Sequence, residues 1–252
     1  MTSTALTAAV LAANIIVCTT VLAGIAYAAR GRRRASPTPA VMPYAAAAAG
    51  LVAWGALVVV LAREGVFATD AGTTTPLIAL GIAVPIGAGI ALLQLPGVRA
   101  AIDRIPLQWL VGVQFYRVLG GLFLIAYARD EMPAEFALPA GIGDIAVGLT
   151  AVVVAYLVAT RGAERTRTAV LGWCVFGLAD LVVAIGTGFL SSPSILQQIA
   201  LDDPNLAITR YPFVLIPTFL VPISILLHVS VVARLRERSA AANTAVGRAR
   251  AA

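Results

Sequence analysis

The chain has 252 residues, 60% hydrophobic and only 12% charged, with a mean hydropathy of +0.93, a balance outside the range of soluble domains. Its formal charge of +6 rests on 18 basic residues, all arginine, so the lysine that a retinal Schiff base needs is missing. Cys18 and Cys174 lie inside apolar runs as small hydrophobes, and a lone histidine, His228, gives no zinc, iron or haem spacing, so no disulfide framework, metal or cofactor is expected.

The first apolar run, 5–29, is followed rather than preceded by basic residues, Arg30, Arg32, Arg33 and Arg34. That order reverses a secretory signal and predicts a transmembrane helix with its N-terminus outside. Further runs of membrane-spanning length lie at 44–62, 76–96, 107–128, 138–160, 169–190 and 211–233, with proline between most of them: Pro37, Pro39 and Pro43, Pro106, Pro133 and Pro139. The expected fold is therefore all-α, a seven-transmembrane helix bundle forming one domain over 1–238, with a disordered cytoplasmic tail over 239–252.

Loop charges orient it. Segments 30–43, 97–106, 161–168 and 234–252 hold 14 arginines against three acids, whereas 63–75, 129–137 and 191–210 hold three arginines against seven acids. By the positive-inside rule the C-terminus is cytoplasmic, in a multi-pass protein of the cell inner (plasma) membrane. This distribution also argues against nucleic acid as the partner of the positive charge. Membrane lipids and a lipophilic small molecule are the expected partners, and a homo-oligomer is compatible with the sequence.

Two features interrupt the pattern of simple spans and turns. In the longest outer loop, Ser192 and Pro193 ahead of Ile195, Leu196 and Ile199 suggest a capped short helix with an apolar face. In the seventh span, Pro212, Pro217 and Pro222 recur every five residues. Pro217 and Pro222 deprive the carbonyls of Phe213 and Thr218 of their helical donors. Trp54, Trp109, Tyr44 and Tyr211 read as aromatic-belt residues near span ends, and His228 as an interfacial or packing histidine.

Three charges fall within the predicted spans: Arg117, Asp144 and Asp180, on the fourth, fifth and sixth. A lone charge in hydrocarbon costs roughly 2.5–3.5 kcal/mol on insertion scales, so such residues face the interior and pair. At about 1.5 Å per residue, Asp144 lies about 9 Å, Asp180 about 15 Å and Arg117 about 18 Å from the outer ends of their spans, close enough in depth to meet. Gln114 shares a face with Arg117, Asp144 lies on a glycine face with Gly141 and Gly148, and Trp173, Gly177, Asp180 and Ala184 form one stripe. One guanidinium neutralises one carboxylate, so the second carboxyl is protonated, bound to a cation, or shares the guanidinium.

The segments Gln114-Phe-Tyr-Arg117-Val-Leu-Gly-Gly121, Phe136-Ala-Leu-Pro-Ala-Gly-Ile-Gly-Asp144 and Leu215-Ile-Pro-Thr-Phe-Leu-Val-Pro222 resemble a family of uncharacterised bacterial seven-helix membrane proteins. In layout alone, seven helices with two intramembrane carboxylates, the chain also resembles the small membrane-bound terpene cyclases. That resemblance implies acidic side chains that protonate a lipophilic substrate. On this reading Asp144 and Asp180 are the candidate catalytic acids, with Gln114, Tyr116, Arg117, Trp173 and Phe176 lining the substrate. A proton- or cation-coupled transporter or sensor, and a scaffold in which the three charges only clamp helices together, account for the same residues.

Overall fold

The computed structural model describes the backbone of residues 4–35 and 42–251 and the side chains of 4–30 and 44–236. Pro37 and Pro39, expected between the first two spans, lie outside the described residues. Regular structure among the described residues is helical throughout: α1 (Thr4–Ala35), α2 (Met42–Arg63), α3 (Ile78–Leu93), α4 (Pro96–Ile102), α5 (Leu107–Gly112), α6 (Gly121–Tyr127), α7 (Ala134–Arg161), α8 (Arg167–Ser191) and α9 (Val221–Ala251). A 3-10 stretch, Val113–Gly120, joins α5 to α6, a π-helical turn, Ile216–Leu220, leads into α9, and a 3-10 turn occupies Ala207–Thr209.

Six helical stretches among the described residues are long and apolar enough to cross a membrane, the build of a multi-pass membrane protein. They are Thr4–Arg30, Tyr44–Arg63, Leu107–Tyr127, Ala134–Arg161, Arg167–Ser191 and Ile216–Arg236. The span expected at 76–96 is different. Its helix, α3, has 16 residues, a length of roughly 24 Å against a hydrocarbon core of about 30 Å. It reaches a seventh span only when counted with α4, which turns away from it by 93°. Pro96 is the local cause, because the residue before a proline, Leu95, adopts extended backbone and ends the helix there. At the C-terminal end, α9 continues as helix through the segment expected to be a disordered tail, 239–252, as far as Ala251; its side chains from 237 on lie outside the described residues.

The fourth span departs furthest from a plain helix. Eight residues wind as 3-10, whose three-residue period puts Gln114, Arg117 and Gly120 in one straight buried line. In an α-helix each step of three would drift by about 60° and spread them over a third of the circumference. The tightening goes with a close approach of α7. A Cβ on Gly148 would lie 2.7 Å from the Val118 amide nitrogen, and one on Gly141 would lie 3.1 Å from the Gly120 carbonyl. The glycine face of the fifth span therefore receives another helix.

Apolar packing brackets this level of the bundle. On one side lies a cluster from α1, α6, the start of α7 and residues 208–220, including Leu122, Phe123, Phe136 and Phe213. On the other, α5, α7, α8 and α9 pack Leu110, Val111, Val147, Val154 and Trp173. A third cluster joins α2 and α3 to Val214 and Leu215.

The expected short helix after Ser192 does not form. The Leu196 amide donates to Ser194 Oγ, the amides of Gln198 and Ile199 donate back to the Leu190 carbonyl, and the Ile195 amide donates 3.1 Å to the Thr73 carbonyl. Donors spent on these partners cannot build an i to i−4 ladder. The loop instead folds inward on its polar side, with Ser191, Ser192, Ser194, Asn205 and Thr209 buried.

Candidate functional site

Arg117 ties three spans together. Its Nε donates to Asp144 Oδ1 at 2.6 Å, its Nη2 to Asp180 Oδ2, and its Nη1 to the Gly177 carbonyl at 3.1 Å. The three charges expected to meet do meet, and they close directly on one another. Small residues make the closure possible: a Cβ on Gly143 would collide with Asp180 Oδ1, and one on Gly120 would lie 2.8 Å from Asp144 Oδ2. The Arg117 side chain is 2% exposed and that of Asp144 15%, so the cluster opens on the Asp144 side.

That opening leads to two cavities. The larger, about 50 Å³, runs from Thr69, Pro76, Ser192 and Thr209 at the end with the acidic loops, between Phe123, Phe136, Leu181 and Phe189, down to Asp144. The smaller, about 30 Å³, is lined by Tyr116, Arg117, Gly120, Asp144, Leu220 and Ser224. Asp144, Leu181, Ile216 and Val221 belong to both linings, so Asp144 stands where the two adjoin. Arg117 occupies one oxygen of each carboxylate, and no described residue donates to Asp144 Oδ2. Two acids share one base in this interior, so a single surplus negative charge calls for a proton or a bound cation.

The remaining expected site residues are distributed unevenly around this centre. Gln114 faces α9, exchanging hydrogen bonds with the Ser224 carbonyl at 3.0 Å and the Ser224 hydroxyl at 2.7 Å. Tyr116 donates to the Leu220 carbonyl at 3.1 Å and lines the smaller cavity. Trp173 is buried, donates to the Val147 carbonyl at 3.3 Å and is in the lining of neither cavity. Phe176 differs: it is 45% exposed on the outer face of α8, one step of about 100° round the helix from the inward stripe of Trp173, Gly177 and Asp180.

Two residues prove more central than their distances from span ends imply. His228 is fully buried, its ring centroid 4.7 Å from that of Trp173, and a Cβ on Gly177 would overlap its ring while lying 3.3 Å from Arg117 Nη1. Neither ring nitrogen has a hydrogen-bond partner. The readable signal is the buried stripe Leu220, Ser224, His228, Val231 and Leu235, at steps of four and three. Trp54 lies within α2 rather than in a belt, and its indole donates 3.1 Å to the Thr218 carbonyl, the acceptor that Pro222 leaves without a helical donor. Of the other belt residues, Tyr44 is buried and accepts from Arg104 at 2.6 Å, while Trp109 is exposed and packs on Tyr27. The second proline-freed carbonyl, that of Phe213, accepts locally from the Ile216 amide at 2.9 Å.

No group of three or more His, Cys, Asp and Glu among the described residues could hold a metal ion. No curated protein and no solved structure matches the chain, and the expected likeness to terpene cyclases is not shown. The family model described as "Domain of unknown function (DUF8737)" matches residues 75–236, which contain Arg117, Asp144, Asp180 and both cavities' inner walls, and the chain belongs to that family.

Proposed function

We propose that the chain is a seven-span protein of the inner membrane, N-terminus outside and C-terminus cytoplasmic, that admits the end of a lipophilic small molecule above Asp144 and acts on it by acid catalysis. The observation that carries this reading is the position of Asp144: one oxygen is held by Arg117, and the residue lines both cavities. A proton left by the charge balance sits on the unbonded Oδ2, beside Gly120 in the lining of the smaller cavity, while Asp180 keeps Arg117 neutralised.

The size of the cavity limits the substrate. One water needs roughly 10–15 Å³, so the larger cavity holds on the order of three to five water-sized groups. It accommodates a branched chain end or a small ring rather than a folded polyprenyl chain, and the reading is therefore a reaction at one terminus of a lipophilic molecule. The purified protein should be incubated with a total lipid extract and the products compared by untargeted mass spectrometry. Some lipophilic compound should be consumed by the parent and left untouched by an Asp144→Asn protein that remains folded, with a stability loss of only about 1 kcal/mol. An extract unchanged by the parent, or full turnover in both Asp144→Asn and Asp180→Asn, rules the reading out.

Proton- or cation-coupled transport is the second reading, favoured by the two cavities that adjoin at Asp144 and by the 3-10 and π segments beside them. It requires flux into proteoliposomes that responds to an imposed pH gradient.

A further inference from the structure

The two cavities that adjoin at Asp144 differ in chemistry. Among the described residues lining the larger one, Asp144 carries the only charge, and the other polar side chains stand at the end with the acidic loops. The smaller one brings four polar side chains, Tyr116, Arg117, Asp144 and Ser224, around a space of about 30 Å³. Their hydrogen-bonding capacity is not used up within the protein. The Tyr116 hydroxyl donates to the Leu220 carbonyl and the Ser224 hydroxyl to Gln114 Oε1, so both oxygens keep lone pairs to accept with. Arg117 commits three N–H groups, to Asp144, Asp180 and the Gly177 carbonyl, out of the five a guanidinium carries. Asp144 Oδ2 receives no donor from the described residues.

A buried water needs roughly 10–15 Å³ and two to four polar partners, so the space and its lining suit about two waters. We propose that the smaller cavity seats water as the second reactant, and that the reaction is the opening of an epoxide by water at the end of a lipophilic molecule. This inference rests on the reading of Asp144 as a proton donor. The choice of leaving group follows from that acid and from the larger cavity. A carboxylic acid protonates oxygen far more readily than carbon, a lining with no second charge suits an uncharged group, and ring strain lets a C–O bond open without a stronger acid.

The Asp144 proton passes to the ring oxygen as one C–O bond of the ring breaks. The water oxygen bonds to the carbon left behind, and its surplus proton returns to the Asp144 carboxylate. Substrate and water together give a diol, with Asp144 reset and nothing oxidised or reduced. Where water is not in place, the opened carbon is quenched by loss of a proton from its neighbour to Asp144, which gives an unsaturated alcohol of the same mass as the substrate.

The test incubates the full-length protein in heavy-oxygen water with total lipid extract, both as isolated and after a peracid has converted its alkenes to epoxides. The expected product, in excess of a protein-free control, is heavier than the compound consumed by one water and carries a single heavy oxygen. In Tyr116→Phe, which removes one oxygen from the water site, the ratio of diol to unsaturated alcohol should fall about fivefold, the worth of one hydrogen bond. Ser224→Ala should move the ratio the same way and decides the matter if Tyr116→Phe does not fold. A purely structural role for either hydroxyl lowers total turnover and leaves the ratio alone. A product without heavy oxygen, or a ratio that the folded variants do not move, overturns this proposal while leaving Asp144 as the proton donor. If the parent changes neither extract, the proton-donor reading falls and the water site falls with it.

Discussion

The two arginine-centred sites use different kinds of acceptor. At Arg117 one base meets two acids inside the bundle, with a carbonyl as the third acceptor. At the bend of α3 and α4, two bases line a cavity with one half-exposed acid, and carbonyls do most of the orienting. The first arrangement has a negative charge to spare where water is scarce, so it holds a proton or cation. The second lies at the edge of the bundle, where the guanidiniums of Arg99 and Arg234 staple the bend of α3 and α4 and the connection after it. The same side chain serves as counter-ion in one place and as a staple on the backbone in the other.

Removing Arg117 tests this contrast most severely. Arg117→Met leaves two acids without a base and should destabilise the protein by about 3–5 kcal/mol, read from denaturant unfolding in detergent. A loss within about 1 kcal/mol would mean that the cluster does not hold the spans together.

The surplus acid predicts non-additivity. Asp144→Asn and Asp180→Asn should each cost only about 1 kcal/mol, because the remaining carboxylate can ionise and keep Arg117 neutral, whereas the double replacement strands the guanidinium and should cost about 3 kcal/mol or more. Additive losses in the same unfolding experiment would show that the acids are not interchangeable partners.

At the other site the effects should be smaller. Arg234→Gln gives up bonds to the Asp103 and Ile105 carbonyls where water can replace them, an expected loss of about 1 kcal/mol. Asp103→Asn should change stability by less than about 0.5 kcal/mol, since its pair with Arg234 is long and half-exposed. A loss at Asp103 as large as at Arg117 would erase the distinction between the two sites.

The bundle and the meeting of its charges were legible in the sequence for a simple reason. Long apolar runs have few alternatives to spanning, and a charge among them has few alternatives to a partner at the same depth. Depth counted along three helices was enough to pair Arg117 with Asp144 and Asp180. What hydropathy does not encode is the kind of helix. The 3-10 winding of 113–120 accompanies glycine contacts with α7 that exist only after the helices pack, and no periodicity within eight residues announces it. Trp54 was misplaced because distance from a span end says nothing about which face meets a neighbour, whereas of the two readings of His228, interfacial or packing, the packing one holds. The direction of Phe176 failed for the complementary reason, one step round the helix from Gly177. The break after α3 did carry a signal, Pro96, which lies at the end of the apolar run.

Among these features the winding of the fourth span also sets a length. Eight residues rising about 2.0 Å each measure about 16 Å, against about 12 Å for the same residues as α-helix. The span is thus a ruler with two settings roughly 4 Å apart, and the shorter setting would turn Gly120 away from Gln114 by about 120°. Arg117 touches α7 and α8 together at the longer one, so its ion pairs act as a catch on the extended setting.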